Sequence, residues 1–135
     1  MKLYLLTILL VFGTLEIFAQ KSHRVVIQFS DSDSLSQASV VGQVKNIKTD
    51  LPDATIEVVC HGPGLDLLIK KNSKVPALVQ EWNSKGVVFA ACNNTMRRRG
   101  VKKEDLSAQA TVVPSAMVEL ILKQEEGWSY VKGGH

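Results

Sequence analysis

Two thiols stand where apolar runs give out. Cys92 directly follows VVFAA and opens NNTMRRRG, and Cys60 ends TIEVVC just before HGPG. A thiolate attacks sulfur or carbon, and a cysteine ionises more easily at the start of a helix, where unpaired N–H groups and the helix dipole favour negative charge. Cys92 meets that condition if VVFAA is a strand and Asn93–Arg99 a helix. A buried, inert residue is an equally good reading, since free cysteine is often core. Asn93 and Asn94 either donate amide hydrogen bonds to a ligand or cap the helix. Arg97, Arg98 and Arg99 follow the thiol by five to seven residues, which along a helix sets their backbones roughly 8–10 Å away. Direct pairing with the thiolate is therefore not expected. Longer-range stabilisation, docking of an anion and solvation of a helix end all remain open.

His61-Gly62-Pro63-Gly64 can turn backbone N–H groups toward one point and form an anion nest. A tight strand-to-helix turn needs the same residues and is the favoured reading. His61 then acts as a base, orients a ligand, or serves as a hydrogen-bonding structural residue beside the turn. Cys60 reads first as a small buried hydrophobe. If its strand neighbours that of Cys92, the thiols could come within the Cα reach of about 7 Å that a disulfide needs. Cys60 would then resolve a persulfide or sulfenic acid on Cys92. Nothing in the chain has the pattern of a zinc site, a dinucleotide fingerprint or a phosphate-binding loop, so no metal or cofactor is expected. The sequon Asn93-Asn94-Thr95 is read as chance.

The elements that must position these residues follow from periodicity. Arg24–Phe29 (RVVIQF), Thr55–Cys60, Val87–Ala91 and Ala110–Val113 read as strands, with Trp128–Val131 (WSYV) as a last one. Val40, Val41, Val44, Ile47 and Leu51 recur at helical spacing before Pro52. Leu65–Lys70 suits one or two helical turns. Pro76 opens a helix with Val75, Leu78, Val79 and Trp82 on its inner face, and Gly86 closes it. Gly100 ends the helix after Cys92. Pro114 opens a helix through Val118, Ile121 and Leu122 that stops at Gly127. Strands alternating with helices imply a parallel sheet covered on both faces, with chemistry gathered beyond the carboxyl ends of the strands. Those ends carry Ser30-Asp31, Cys60-His61, Cys92-Asn93 and Pro114-Ser115. Trp82, Trp128 and Tyr130 are expected in the core or at a subunit interface.

The chain has 135 residues, within the range of one domain, and a formal net charge of +3. That charge is too mild to imply a nucleic-acid partner. Lys2, the apolar run Leu3–Phe12 and the exit Phe18-Ala19-Gln20 have the form of a secretory signal peptide, residues 1–20, cut near Ala19 or Gln20. Glu16 stops the apolar run short of the roughly 20 residues of a spanning helix, so no membrane association is expected after cleavage. A periplasmic or secreted location in a bacterial envelope follows. Export makes a disulfide feasible, but a mature chain of roughly 115 residues does not require one to build a core.

Cys92-Asn-Asn-Thr-Met-Arg-Arg-Arg-Gly-Val101 resembles the signature of the DsrE/DsrF-like family, in which a cysteine precedes Arg-Arg-Gly by five residues. VVCHGPGLDLL (Val58–Leu68), WNSKGVVFAAC (Trp82–Cys92), VVPSAMVEL (Val112–Leu120) and QEEGWSYVK (Gln124–Lys132) are similar to its exported, stand-alone branch. The resemblance spans nearly all of residues 21–135. It implies a three-layer α/β/α sandwich with a mostly parallel sheet of about five strands, assembled as a homo-oligomer, a trimer or hexamer. It also implies that Cys92 carries a persulfide and passes sulfur between a donor and an acceptor protein. The relay members of the family are cytoplasmic, whereas the leader here implies export. A non-catalytic module is the alternative, holding a small anion or nucleotide-like ligand between His61, Gly62 and Gly64 on one side and Asn93 and Asn94 on the other. A protein whose ring-like assembly is itself the functional unit is a third.

Overall fold

The computed structural model describes residues 22–135, so the expected leader and its cleavage point lie outside the described residues. In chain order the elements are β1 (Arg24–Phe29), α1 (Ser34–Asp50), β2 (Thr55–Cys60), a 3₁₀-helix (Gly62–Leu68), α2 (Pro76–Ser84), β3 (Val88–Cys92) and α3 (Asn93–Arg99). A short 3₁₀ turn (Lys103–Asp105), β4 (Ala110–Val113), α4 (Ala116–Glu125) and β5 (Ser129–Lys132) complete them. Asp33 caps α1 by accepting the Ser36 N–H at 2.9 Å. Gly100 ends α3 with φ 66°, a left-handed conformation that favours glycine.

The five strands form one sheet in the order β4-β3-β2-β1-β5, with every pairing parallel. Handedness explains where the helices go. From β1 through β4 each crossover steps in the same direction, so right-handed connections put α1, α2 and α3 on one face. The connection from β4 must return across the whole sheet to β5, and the same handedness puts α4 on the other face. The chain therefore leaves β3 and β4 toward opposite faces, opening a crevice between their carboxyl ends.

The two faces are unequal. One holds the main core, in which Ile27, Phe29, Val58 and Phe89 pack against Val40 and Val44 of α1, Val79 of α2 and Met96 of α3. The other is a small cluster, where Val26, Val59, Ala90, Cys92 and Val113 meet only Ala116 and Leu120 of α4, with Trp128 at the margin. One expectation is corrected here: Leu78 of α2 is exposed while Val79 is buried. In α4, Val118, Ile121 and Leu122 turn outward. The apolar run of α4 is wider than the stripe that reaches the sheet, and the inward stripe also carries charge.

That charge is an ion pair. Glu57 is buried in central β2, and its Oε2 lies 3.1 Å from Lys123 Nζ, which is also 3.6 Å from Glu119. The ammonium sits 4.5 Å from the centre of the Trp128 ring. Burial pushes the Glu57 carboxyl above its ordinary value despite the pull of Lys123. Burial opposes the Lys123 charge, but the hydrogen bond to Glu57 and the nearby acids outweigh it and raise its pKa. Lys123→Met should cost on the order of 3 kcal/mol at pH 7, because it leaves a buried carboxylate without its partner. A carboxyl whose folded pKa is raised withdraws stability as pH rises through it, so the loss should shrink as pH falls toward 4.5, the ordinary value of Glu57. Urea unfolding of both proteins at the two pH values checks this.

Candidate functional site

Cys92 is the last residue of β3 and the N-cap of α3, so it stands at the crevice where the chain diverges. The first N–H of α4, that of Ala116, points at it from the other side, with nitrogen 3.3 Å from Cys92 Sγ. Thr95 holds the arrangement together. Its hydroxyl oxygen accepts the Gly62 N–H at 3.0 Å, leaving its own proton free to turn toward the sulfur. Burial opposes ionisation of Cys92, yet the amides of Thr95, Ala116 and Asn94 and the Thr95 hydroxyl more than offset it and hold the thiol below its ordinary value.

The thiol is not open at a strand tip, since Cys92 is only 4% exposed. Access comes from a cleft of about 270 Å³ lined by His61, Cys92, Asn94, Thr95, Arg98, Ser115, Ala116 and Met117. A second cleft, about 460 Å³, is lined by Ser32, Gly62, Pro63, Asp66, Arg98 and Arg99. Arg98 belongs to both.

The three arginines divide their work. Arg97 donates to Asn94 Oδ1 within α3. Arg99 donates to the Gly62 carbonyl at 2.9 Å and pairs with Asp66 at 2.6 Å, tying α3 to the 3₁₀-helix. Arg98 alone lines the cleft that contains Cys92. It is thus the guanidinium placed to meet an anion there, a distinction that three consecutive identical residues could not convey.

His61 lines the same cleft, and its backbone N–H is anchored to the Phe29 carbonyl at 3.1 Å. Burial, then the charges of Arg98 and Lys132, lower its pKa. The glycines beside it do not form a free anion nest. Gly62 N–H is given to Thr95, Gly64 N–H goes to the His61 carbonyl at 2.9 Å, and Gly64 is packed against the end of β1. The turn reading therefore describes the motif. Asn94 lines the cleft, whereas Asn93 does not.

Cys60 is elsewhere. Strands β2 and β3 are neighbours as supposed, but Cys60 is in register with Ala91, so Cys92 is one residue out of phase and faces the opposite side of the sheet. Cys60 is fully buried in the main core and Cys92 lies in the small cluster beneath α4. Burial pushes the Cys60 thiol far up, and both cysteines are free. A resolving role for Cys60 is overturned by this alternation of side chains. Among the described residues no cluster of three or more His, Cys, Asp or Glu is placed to hold a metal, and no helix is long and apolar enough to cross a membrane.

The described chain is similar to solved structures along most of its length. A protein of unknown function, MTH1491 from Methanobacterium thermoautotrophicum, superposes with a TM-score of 0.79 at 32% identity, covering 82% of this chain and 99% of its own. The ychN protein from E. coli superposes with a TM-score of 0.66 at 10% identity, covering 82% and 98%, a likeness of fold alone. No curated protein matches significantly. The DsrE/DsrF-like family model matches residues 14–132, a span that includes the cysteine crevice, the arginine run behind it and all five strands. With a relative of the same fold at that level of identity, the match establishes that the chain belongs to the DsrE/DsrF-like family.

Proposed function

We propose that this protein is an exported sulfur carrier that accepts sulfur as a persulfide on Cys92 and works as a homo-oligomer. Membership of the DsrE/DsrF-like family points to sulfur-relay chemistry in general. The observation that carries the finer reading is the thiol held below its ordinary value between two diverging helix starts, with Arg98 on the wall of its cleft. The thiolate attacks the outer sulfur of a sulfane donor. The donor's sulfur–sulfur bond breaks, its electron pair leaves with the departing group, and Cys92 is left as a persulfide anion. No oxidant or reductant is consumed. The assembly half of the reading is supported by α4, whose outward Met117, Val118, Ile121 and Leu122 are 46 to 53% exposed. A contiguous apolar face of that kind suits burial against a second copy.

Incubation with a sulfane donor followed by mass spectrometry should show one added sulfur, on Cys92, and none in Cys92→Ser. Sulfur on Cys60 with Cys92 untouched would overturn the assignment. A light-scattering mass equal to a single chain would overturn the assembly. The adjoining clefts that share Arg98 favour one second reading, a non-catalytic anion-binding module. It predicts thermal stabilisation by small anions that survives Cys92→Ser, with no persulfide in the parent protein.

A further inference from the structure

Parallel register places a row of polar side chains on the α4 face at the carboxyl ends of the strands. Tyr130 of β5 is level with Val26, and Lys132 with Gln28 of β1. Tyr130 hydroxyl donates to Gln28 Oε1. Gln28 Nε2 lies 2.8 Å from His61 Nε2. The protons in this row are constrained by chemistry. An amide NH₂ group only donates, so Gln28 can meet His61 Nε2 only where that nitrogen offers a lone pair. With Oε1 turned to the Tyr130 hydroxyl, the amide presents its NH₂ group to His61. The ring proton of His61 is then on Nδ1.

We propose that Gln28, held by Tyr130, is a positioning residue that fixes His61 as its Nδ1–H tautomer, so that His61 serves the cleft as a neutral hydrogen-bond donor and not as a base. This rests on the reading of Cys92 as the reacting atom. A negative sulfur on the wall of the same cleft favours a proton over a lone pair on the free ring nitrogen. The charges around His61 agree. Arg98 of α3 and Lys132 of β5 are both cations, and the acid near Lys132, Asp31, is engaged with it at 3.9 Å. An imidazolium would face those two charges and a Gln28 donor. The ligand implied is an anion whose oxygens or terminal sulfur accept from His61 and Arg98 while Cys92 attacks it.

Nitrogen NMR of the His61 ring in the unmodified protein tests this directly. At pH 7 the expected spectrum has a protonated Nδ1 and an unprotonated Nε2. Gln28→Glu supplies an acceptor in place of the donor, so it should move the proton to Nε2 and raise the His61 pKa by about one unit or more. The pH profile of persulfide formation should then gain a limb at the new value. Gln28→Met should leave a mixture of tautomers. A proton on Nε2 in the parent protein would overturn the proposal, as would ring shifts unchanged in Gln28→Glu. If the parent shows the expected tautomer but Cys92 takes up no sulfur, the reading of Cys92 fails and the role of Gln28 in setting the ring stands.

Discussion

Gly64→Ala is expected to unfold at a temperature roughly 10–20 °C lower, a loss of about 3 kcal/mol for a domain of this size. A Cβ on Gly64 would sit 2.4 Å from the Phe29 carbonyl oxygen, 2.7 Å from its carbon and 2.7 Å from Ser30 Cα. All three are main-chain atoms at the end of a central strand, so no side chain can swing aside to relieve the contact. The damage should reach the site, because the same Phe29 carbonyl accepts the His61 N–H, and the turn hands Gly62 N–H to Thr95 beneath Cys92. Slower alkylation of Cys92 at a temperature where the variant is still folded would show that link. Gly42→Ala is the control. It lies within α1 with open space around it and should gain about 0.5–1 kcal/mol from helix propensity. Equal melting temperatures for the two variants would refute the packing argument.

Arg98→Glu should slow sulfur transfer from an anionic sulfane donor by about tenfold to a hundredfold. It removes the guanidinium on the cleft wall and replaces attraction with repulsion. Reaction of Cys92 with a neutral alkylating agent should change far less, since the sulfur is stabilised chiefly by the amides and hydroxyl of its immediate neighbours. Arg97→Glu is the matched comparison, because Arg97 is spent on Asn94. Similar slowing in both variants would mean that general surface charge, not Arg98, is at work. High salt should narrow the gap between parent and variant.

How far these features were legible in the chain varies with their physical origin. Strand bounds such as Arg24–Phe29 and Thr55–Cys60 were legible because β-branched runs flanked by turn residues state both type and limits. The helix after Cys92 and its glycine stop were legible for similar local reasons. Strand order was not, because it depends on which edge the last strand joins, and no local pattern encodes that choice. The crevice beside Cys92 and the solitary position of α4 both follow from it. The orientation of α4 was not legible, because its apolar residues exceed one face, and the inward place of Lys123 is explained only by Glu57, a partner far away in sequence. The separation of the two cysteines was within reach, since period-2 alternation and a register would have revealed it. The tail Gly133-Gly134-His135 gave no pattern at all, yet it docks against β1 and α1. Gly133 N–H meets the Gln28 carbonyl at 2.8 Å, and a Cβ there would lie 2.6 Å from Ile27. Close approach of backbone to core leaves no hydrophobic trace in a sequence.

The placement of the two sulfhydryls on either side of a sheet has a kinetic consequence. On the proposed reading, a chain loaded at Cys92 would not pass its sulfur to Cys60, because a hydrogen-bonded layer of main chain separates the two. Unloading would then need a collision with an acceptor from outside the chain, whether a second copy or another molecule. In the absence of such a collision the loaded form would persist, and a store of sulfur would be kept waiting for its recipient.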